Sequence, residues 1–138
     1  MNQQPFNFII NVRFLDTDKY AHVNNSVYFT YFEEARTEWL YNISELIDWG
    51  NENTVQFVIA EQCCNYLRPL HHPNKIKITQ YITRIGTVSI NFAYELRVVG
   101  CDDILTTATT KVAFFNSRTE KLQKLPIKLK QQIISKMQ

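Results

Sequence analysis

The stretch Val12 to Trp39, VRFLDTDKYAHVNNSVYFTYFEEARTEW, carries the change of period on which the fold turns. Val12 and Phe14 alternate with Arg13, the period-2 mark of a half-buried strand, while from Val27 onward the apolar residues recur every three to four positions. The switch falls at Asn24-Asn25. Asn favours the start of a helix, because its side chain can bond the free backbone N–H groups of the first turn. No acid follows until Glu33, so the positive end of the helix dipole is left without side-chain compensation, with Asp16, Asp18 and His22 standing just before it.

Working outward, Phe6, Phe8, Ile10, Val12 and Phe14 share one face of a first strand that ends at Asp16–Asp18. The helix is expected from about Asn25 to Ile47, roughly 22 residues and about 33 Å. Its apolar stripe runs through Tyr28, Phe32, Ala35, Trp39 and Ile43, and it stops before the turn-like Gly50-Asn51-Glu52-Asn53. Thr54 to Leu67, Lys75 to Ile85, Thr87 to Val99 and Ile104 to Asn116 then read as four long strands, divided by Arg68-Pro69 to Pro73, Gly86 and Gly100-Cys101-Asp102-Asp103. The third alternates cleanly, Val88, Ile90, Phe92, Tyr94, Leu96 and Val98 against Ser89, Asn91, Ala93, Glu95 and Arg97. After Pro126, Ile127 to Met137 fits a short terminal helix. One strand, one helix and four strands with short connections predict an α+β domain, an antiparallel sheet with one helix on one face.

The 138 residues, 45% of them apolar, suit a single domain over residues 1–138 with a real core. No apolar run reaches the roughly 18 residues a membrane span needs, and the N-terminus lacks the pattern of a secretory signal, so a cytoplasmic protein is expected. Three cysteines make a disulfide framework unlikely in that compartment; Cys63 and Cys64, adjacent in a strand, should face opposite ways, and small buried thiols are expected. The net charge is only +2, but residues 111–138 carry 7 basic and 1 acidic group. Lys121, Lys124, Lys128 and Lys130 read as a solvated face, and without interleaved aromatics after Phe115 the basic tail does not suggest nucleic-acid binding.

Hydrolysis of a thioester needs a base or nucleophile on one side of the carbonyl and donors for the oxygen that becomes negative. Asp18 can supply the first, and the unpaired N–H groups near Asn24 and Asn25 the second. Asp16 reads chiefly as a brace of the turn. His22 is a base, an orienting group or a hydrogen-bonded structural residue. Glu33 and Arg36, three apart on a helix, are expected to pair with each other. His71-His72-Pro73 lacks a third ligand at sensible spacing, so no metal site is expected. No Ser lies in a nucleophile elbow and no Cys has a His nearby in sequence.

These residues resemble the hotdog-fold thioesterases of the 4-hydroxybenzoyl-CoA thioesterase type, which include the short acyl-CoA thioesterases of bacteria. The family pattern D-x-D-x-x-G-H-V-N-N-x-x-Y-x-x-Y-x-E-x-A-R is met by Asp16, Asp18, His22, Val23, Asn24, Asn25, Tyr28, Tyr31, Glu33 and Ala35-Arg36. Tyr66-Leu67-Arg68-Pro69-Leu70, Ile85-Gly86-Thr87-Val88-Ser89 and Lys124-Leu125-Pro126 are similar to later strand and turn signatures, so the resemblance covers nearly the whole chain.

The resemblance implies a helix wrapped by a five-stranded antiparallel sheet, dimerising into one continuous ten-stranded sheet with active sites at the subunit boundary, as a homodimer or a tetramer of dimers. It implies an acyl-CoA thioesterase with Asp18 as the catalytic carboxylate, the Asn25 N–H as the oxyanion donor and His22 assisting. Asn24, Tyr28, Glu33 and Arg68 are the residues expected to bind substrate, and no cofactor is implied. Two departures are visible. The family's Gly before His is Ala21, which lacks glycine's ready access to positive φ, so the loop need not follow the Gly-bearing enzymes. The plant acyl-carrier-protein thioesterases are similar here too, but their catalytic Asn would fall at Tyr20. Hydrolysis of acyl groups from acyl carrier protein, and non-catalytic binding of acyl or aryl ligands, are the alternatives.

Overall fold

The computed structural model describes residues 4–137. Strand β1 (Phe6–Asn11) leads through a 3-10 turn (Phe14–Asp16) and a loop to helix α1 (Val27–Leu40) and a shorter helix α2 (Ser44–Glu52). Strands β2 (Val55–Tyr66), β3 (Lys75–Ile85), β4 (Ser89–Val98) and β5 (Thr106–Asn116) follow, then a two-residue strand β6 (Lys121–Leu122) and helix α3 (Ile127–Lys136). The expected α+β hotdog arrangement is the one the chain adopts. The sheet runs β1-β3-β4-β5-β2, antiparallel throughout, with β6 added to the end of β5.

Alternation decides which face is buried. Ile90, Phe92, Tyr94 and Leu96 of β4 stand opposite Val112, Thr110, Ala108 and Thr106 of β5, and all eight point at the helices. From the other side Tyr28, Tyr31, Phe32 and Ala35 of α1 close the core. Phe32 lies nearly parallel to Tyr94, ring centres 4.8 Å apart, which fixes the helix against the middle of the sheet. Strand β2 forms one edge, bonded to β5 along its length, with a bulge between Ile59 and Glu61.

Several boundaries differ from expectation. The first strand stops at Asn11, and Phe14, expected on its buried face, is 76% exposed. The Asp16 carboxylate reaches back to the Arg13 N–H at 2.9 Å, coiling Phe14–Asp16 into the 3-10 turn. The helix expected over Asn25 to Ile47 is two helices. Asn42 donates its side-chain amide to the Glu38 carbonyl at 3.1 Å, while its backbone N–H bonds Trp39 instead, and Ile43 leaves helical dihedrals at φ −126° and ψ 74°. The break re-aims the chain so that Ile43 and Leu46 are both buried. Gly50, expected in a turn, sits inside α2, where a Cβ would meet the Val55 carbonyl at 3.1 Å and the Phe57 ring at 3.4 Å. It is there for close approach to β2.

The thiols also differ. Cys64 is half-buried, but Cys63, on the outer face of the edge strand, and Cys101, in the β4–β5 turn, are exposed. Lys121, Lys124, Lys128 and Lys130 are exposed as expected, though only Lys128 and Lys130 lie on α3.

Candidate active site

The chain between Asp16 and Asn25 folds back as a small hairpin. Thr17 bridges Val23, Asp18 N–H donates to the His22 carbonyl at 2.8 Å, and Ala21 N–H donates to the Asp18 carbonyl at 3.0 Å. Closing so short a turn requires a left-handed residue, and Ala21 supplies it at φ +62°. The loop therefore takes the course a glycine would favour, at a steric cost of about 1 kcal/mol.

The two aspartates of this hairpin have opposite surroundings. Asp16 is 1% exposed and its carboxylate accepts four bonds, from the Arg13 N–H, Nε and Nη2 at 2.9, 3.1 and 2.8 Å and from the Tyr31 hydroxyl at 2.7 Å. Burial alone would raise its pKa, but the bonds from Arg13 and Tyr31 outweigh it and hold the carboxyl below the usual range. Tyr31 is pushed up by burial and by that same bond. Asp16 is a brace. Asp18 is exposed; its Oδ1 accepts from the N–H groups of Tyr20 at 2.9 Å and His22 at 3.2 Å, while Oδ2 accepts nothing among the described residues. One oxygen holds the carboxylate in place and the other is free for chemistry.

At the helix start, Asn24 N–H donates to the Asp16 carbonyl at 2.8 Å, Ser26 N–H to Asn24 Oδ1 at 3.1 Å and Val27 N–H to the Asn24 carbonyl at 2.9 Å. Asn25 N–H, between them, has no acceptor among the described residues. The cap differs from expectation: Ser26, in helical conformation, occupies the N-cap position without bonding a helix N–H through its side chain; its hydroxyl donates instead to Asn24 Oδ1 at 3.0 Å, so Asn24 braces it from outside the helix. The Asn25 carbonyl is held by the Tyr66 hydroxyl at 2.9 Å, so the end of β2 fixes this peptide. Tyr66, pushed up to about 12 by burial and by Cys64, stays protonated and able to donate. Tyr28 is 2% exposed and stacks edge-on to Tyr66, ring centres 5.0 Å apart, forming the floor beneath.

His22 meets Asp18 through its backbone N–H, and its ring packs edge-on against His71 at 4.5 Å. Asp18, His22, Asn24, Asn25 and Tyr28 thus lie in one region. Arg68 is exposed after β2 and paired with Asp103 at 3.0 Å. Glu33 lies two turns further along α1.

The pairing expected between Glu33 and Arg36 does not occur. Arg36 turns inward, its Nη1 3.3 Å from the Tyr94 hydroxyl and 3.4 Å from Thr110 Oγ1, its guanidinium 6.0 Å from the centre of the Tyr94 ring. Both residues line a cavity of about 440 Å³ between the second half of α1 and strands β2, β4 and β5. Trp39, Phe57, Phe92 and Phe114 supply much of its wall. The expected reading missed this site because an i, i+3 pair of opposite charge looks the same whether or not it forms. The signal was that Arg36 follows Phe32 by four residues, on the edge of the buried stripe.

The chain matches the thioesterase-like superfamily over residues 12–133. Over 85 residues it is 32% identical to the uncharacterized protein YsmA of Bacillus subtilis, covering 62% of this chain and 56% of that one. Over 77 residues it is 34% identical to the long-chain acyl-CoA thioesterase FadM of Escherichia coli, covering 56% and 58%. The matched regions thus span little more than half the length of these relatives. Among solved structures, the Staphylococcus aureus protein SAV2348 in complex with CoA superposes with a TM-score of 0.87 at 18% identity, covering 100% of this chain and 88% of that one. At that identity the likeness is one of fold.

Proposed function

Since the chain belongs to the thioesterase-like superfamily, matched from residue 12 to residue 133, we propose that it hydrolyses acyl-CoA thioesters to the free acid and CoA. The observation that carries the proposal is the unpaired Asn25 N–H at the start of α1, beside a hairpin that leaves one Asp18 oxygen free. The acyl-CoA activity of one relative and the CoA held by a structure of the same fold support the choice of leaving group.

The thioester carbonyl oxygen docks on the Asn25 N–H, where the helix dipole favours the negative charge that develops on it. Asp18 Oδ2 either takes a proton from a water that attacks the carbonyl carbon or attacks that carbon itself. In the first course the tetrahedral intermediate expels CoA as its thiolate. In the second, a mixed anhydride forms as CoA leaves, and water cleaves it. Asp18 Oδ1 remains bonded to Tyr20 and His22 throughout, which keeps the reacting oxygen aimed; His22 acts by fixing the hairpin, and Asn24 by bracing the peptide after it.

The β2 edge pairs with a second copy. Twelve residues of open strand, with Ile59, Tyr66 and Leu67 between 42% and 59% exposed, need a partner. A stable monomer in sedimentation at micromolar concentration is the result that would remove this pairing.

The test of the activity is incubation with a panel of acyl-CoA thioesters of graded chain length and a thiol reagent. Release of free CoA is expected. Release from acyl carrier protein alone would move the leaving group, and binding without release would make the protein a carrier of acyl ligands.

A further inference from the structure

The cavity beside α1 contains a cation, Arg36, that forms no ion pair with any acid among the described residues. Arg36 is half-buried, and its two contacts, at 3.3 and 3.4 Å, go to neutral hydroxyls and both leave from Nη1. Bonds from a guanidinium to a carboxylate are typically about 2.7–2.9 Å, so these two are weak. Nε and Nη2 donate to nothing among the described residues. That free edge is the one that binds a carboxylate in parallel, two N–H groups to two oxygens. Leaving a half-buried charge so poorly matched is costly, and a ligand that supplies the missing anion recovers that cost on binding.

Apart from Glu33, Thr37 and Gln56 the other lining residues are apolar, and the cavity has a volume that holds a small ligand. Its position defines what reaches it. Arg36 is eleven residues beyond Asn25, so it lies about 16 Å along the helix from the proposed oxyanion donor. Strand β2 runs the same course, with Tyr66 bonded to Asn25 at one end and Phe57 in the cavity wall at the other. An extended hydrocarbon with single bonds near ~1.5 Å covers that distance in about a dozen bonds.

We propose that this cavity receives the far end of the acyl group and that Arg36 binds a carboxylate carried there, making thioesters of medium-chain α,ω-dicarboxylic acids the preferred substrates. The inference rests on the acyl-thioester reading above and names its substrate class. Glu33, exposed on the lip and unpaired with Arg36 among the described residues, opposes an incoming carboxylate and keeps the selectivity below its limit.

The experiment compares kcat/KM for two CoA thioesters of equal length, one ending in a carboxylate and one in a methyl group, around twelve carbons. The wild type is expected to favour the carboxylate at least about tenfold, the scale of a charge-assisted bidentate contact. Arg36→Met should abolish or reverse that ratio, and Glu33→Gln should raise it a few-fold. The ratio is internal to each variant, so a general loss of packing does not imitate the effect. If Arg36→Met does not fold, the wild-type ratio and the direction of Glu33→Gln decide. A wild-type preference for the methyl end, or a ratio unmoved by Arg36→Met, overturns the assignment while leaving the hydrolase intact. In parallel, free dodecanedioic and dodecanoic acids are titrated against the intrinsic fluorescence of the two tryptophans, Trp39 in the cavity wall and Trp49 packed against the wall residues Phe57 and Phe114. Binding of the diacid that depends on Arg36, with no thioester cleaved, would retain the cavity assignment and sink the hydrolase.

Discussion

At the start of α1 the chain is positioned by its own backbone, whereas around the second half of the same helix the walls are side chains from three strands. The hairpin from Asp16 to Asn25 and the helix start after it are held by peptide-to-peptide bonds and three Asx contacts, and the proposed reacting groups, one carboxylate oxygen and one N–H, are what those bonds leave over. The cavity near Arg36 is closed by Trp39, Phe57, Phe92 and Phe114, side chains and not main-chain groups. On the reading proposed above, the difference separates chemistry from selection: the first region would set the reaction, and the second which acyl group is accepted.

The largest expected effect tests whether the chemistry sits in the first region. Asp18→Asn keeps size and removes the proton acceptor and nucleophile, so turnover on the best substrate of the panel should fall by about 10²–10⁴. Substrate affinity should change little. A rate within threefold of wild type would place the reacting group elsewhere.

A second substitution, two residues away, sharpens the contrast between the reacting carboxylate and the brace. Asp16→Asn breaks the network with Arg13 and Tyr31 and should cost about 2–3 kcal/mol of stability at pH 7. The sign of its pH dependence follows from the lowered folded pKa. The contribution of the ionised carboxylate is fully present above the unfolded value near ~3.9 and is lost as pH falls through the lower folded one. Urea midpoints of wild type and variant should therefore differ at pH 7 and draw together as the pH falls below the ordinary carboxylate range and through the lowered folded value. A difference that persists there would mean that shape, and not charge, holds the turn.

The smallest effect concerns the strain in the hairpin. Ala21→Gly relieves the φ of +62° but gives the unfolded chain more freedom, so the net gain should be about 0.5–1 kcal/mol. For a chain of this length that raises Tm by about 2–4 °C. A lower Tm would show that the alanine methyl makes a contact worth more than the strain.

Much of this was legible in the residues. The change from period 2 to period 3.6 at Asn24-Asn25, the alternation of Val88 to Val98 and the breakers at Gly86 and Gly100 gave the order of elements and nearly all of the strand boundaries. Asp16 as a brace was legible because a short acid beside a turn readily bonds nearby backbone N–H groups, as it does with that of Arg13. What escaped were local contests between side chain and backbone. Nothing in a linear pattern shows that the Asn42 amide reaches the Glu38 carbonyl and ends α1, or that Asp16 coils Phe14 out of the strand.

The sequence alone determined the five main strands, the start of the first helix and the terminal helix, their order and the residue types gathered before α1, because periodicity and turn chemistry are properties of neighbours along the chain. Only the tertiary structure decided that the Asn25 N–H is left unpaired while those on either side are not, and that Arg36 faces Tyr94 and Thr110 instead of Glu33. The second depends on partners 58 and 74 residues away, Tyr94 and Thr110, and the Asn25 carbonyl beside the first is likewise held from 41 residues away by Tyr66. Which partner a donor finds is settled by how strands curl around a helix, and that is a property of the packed core.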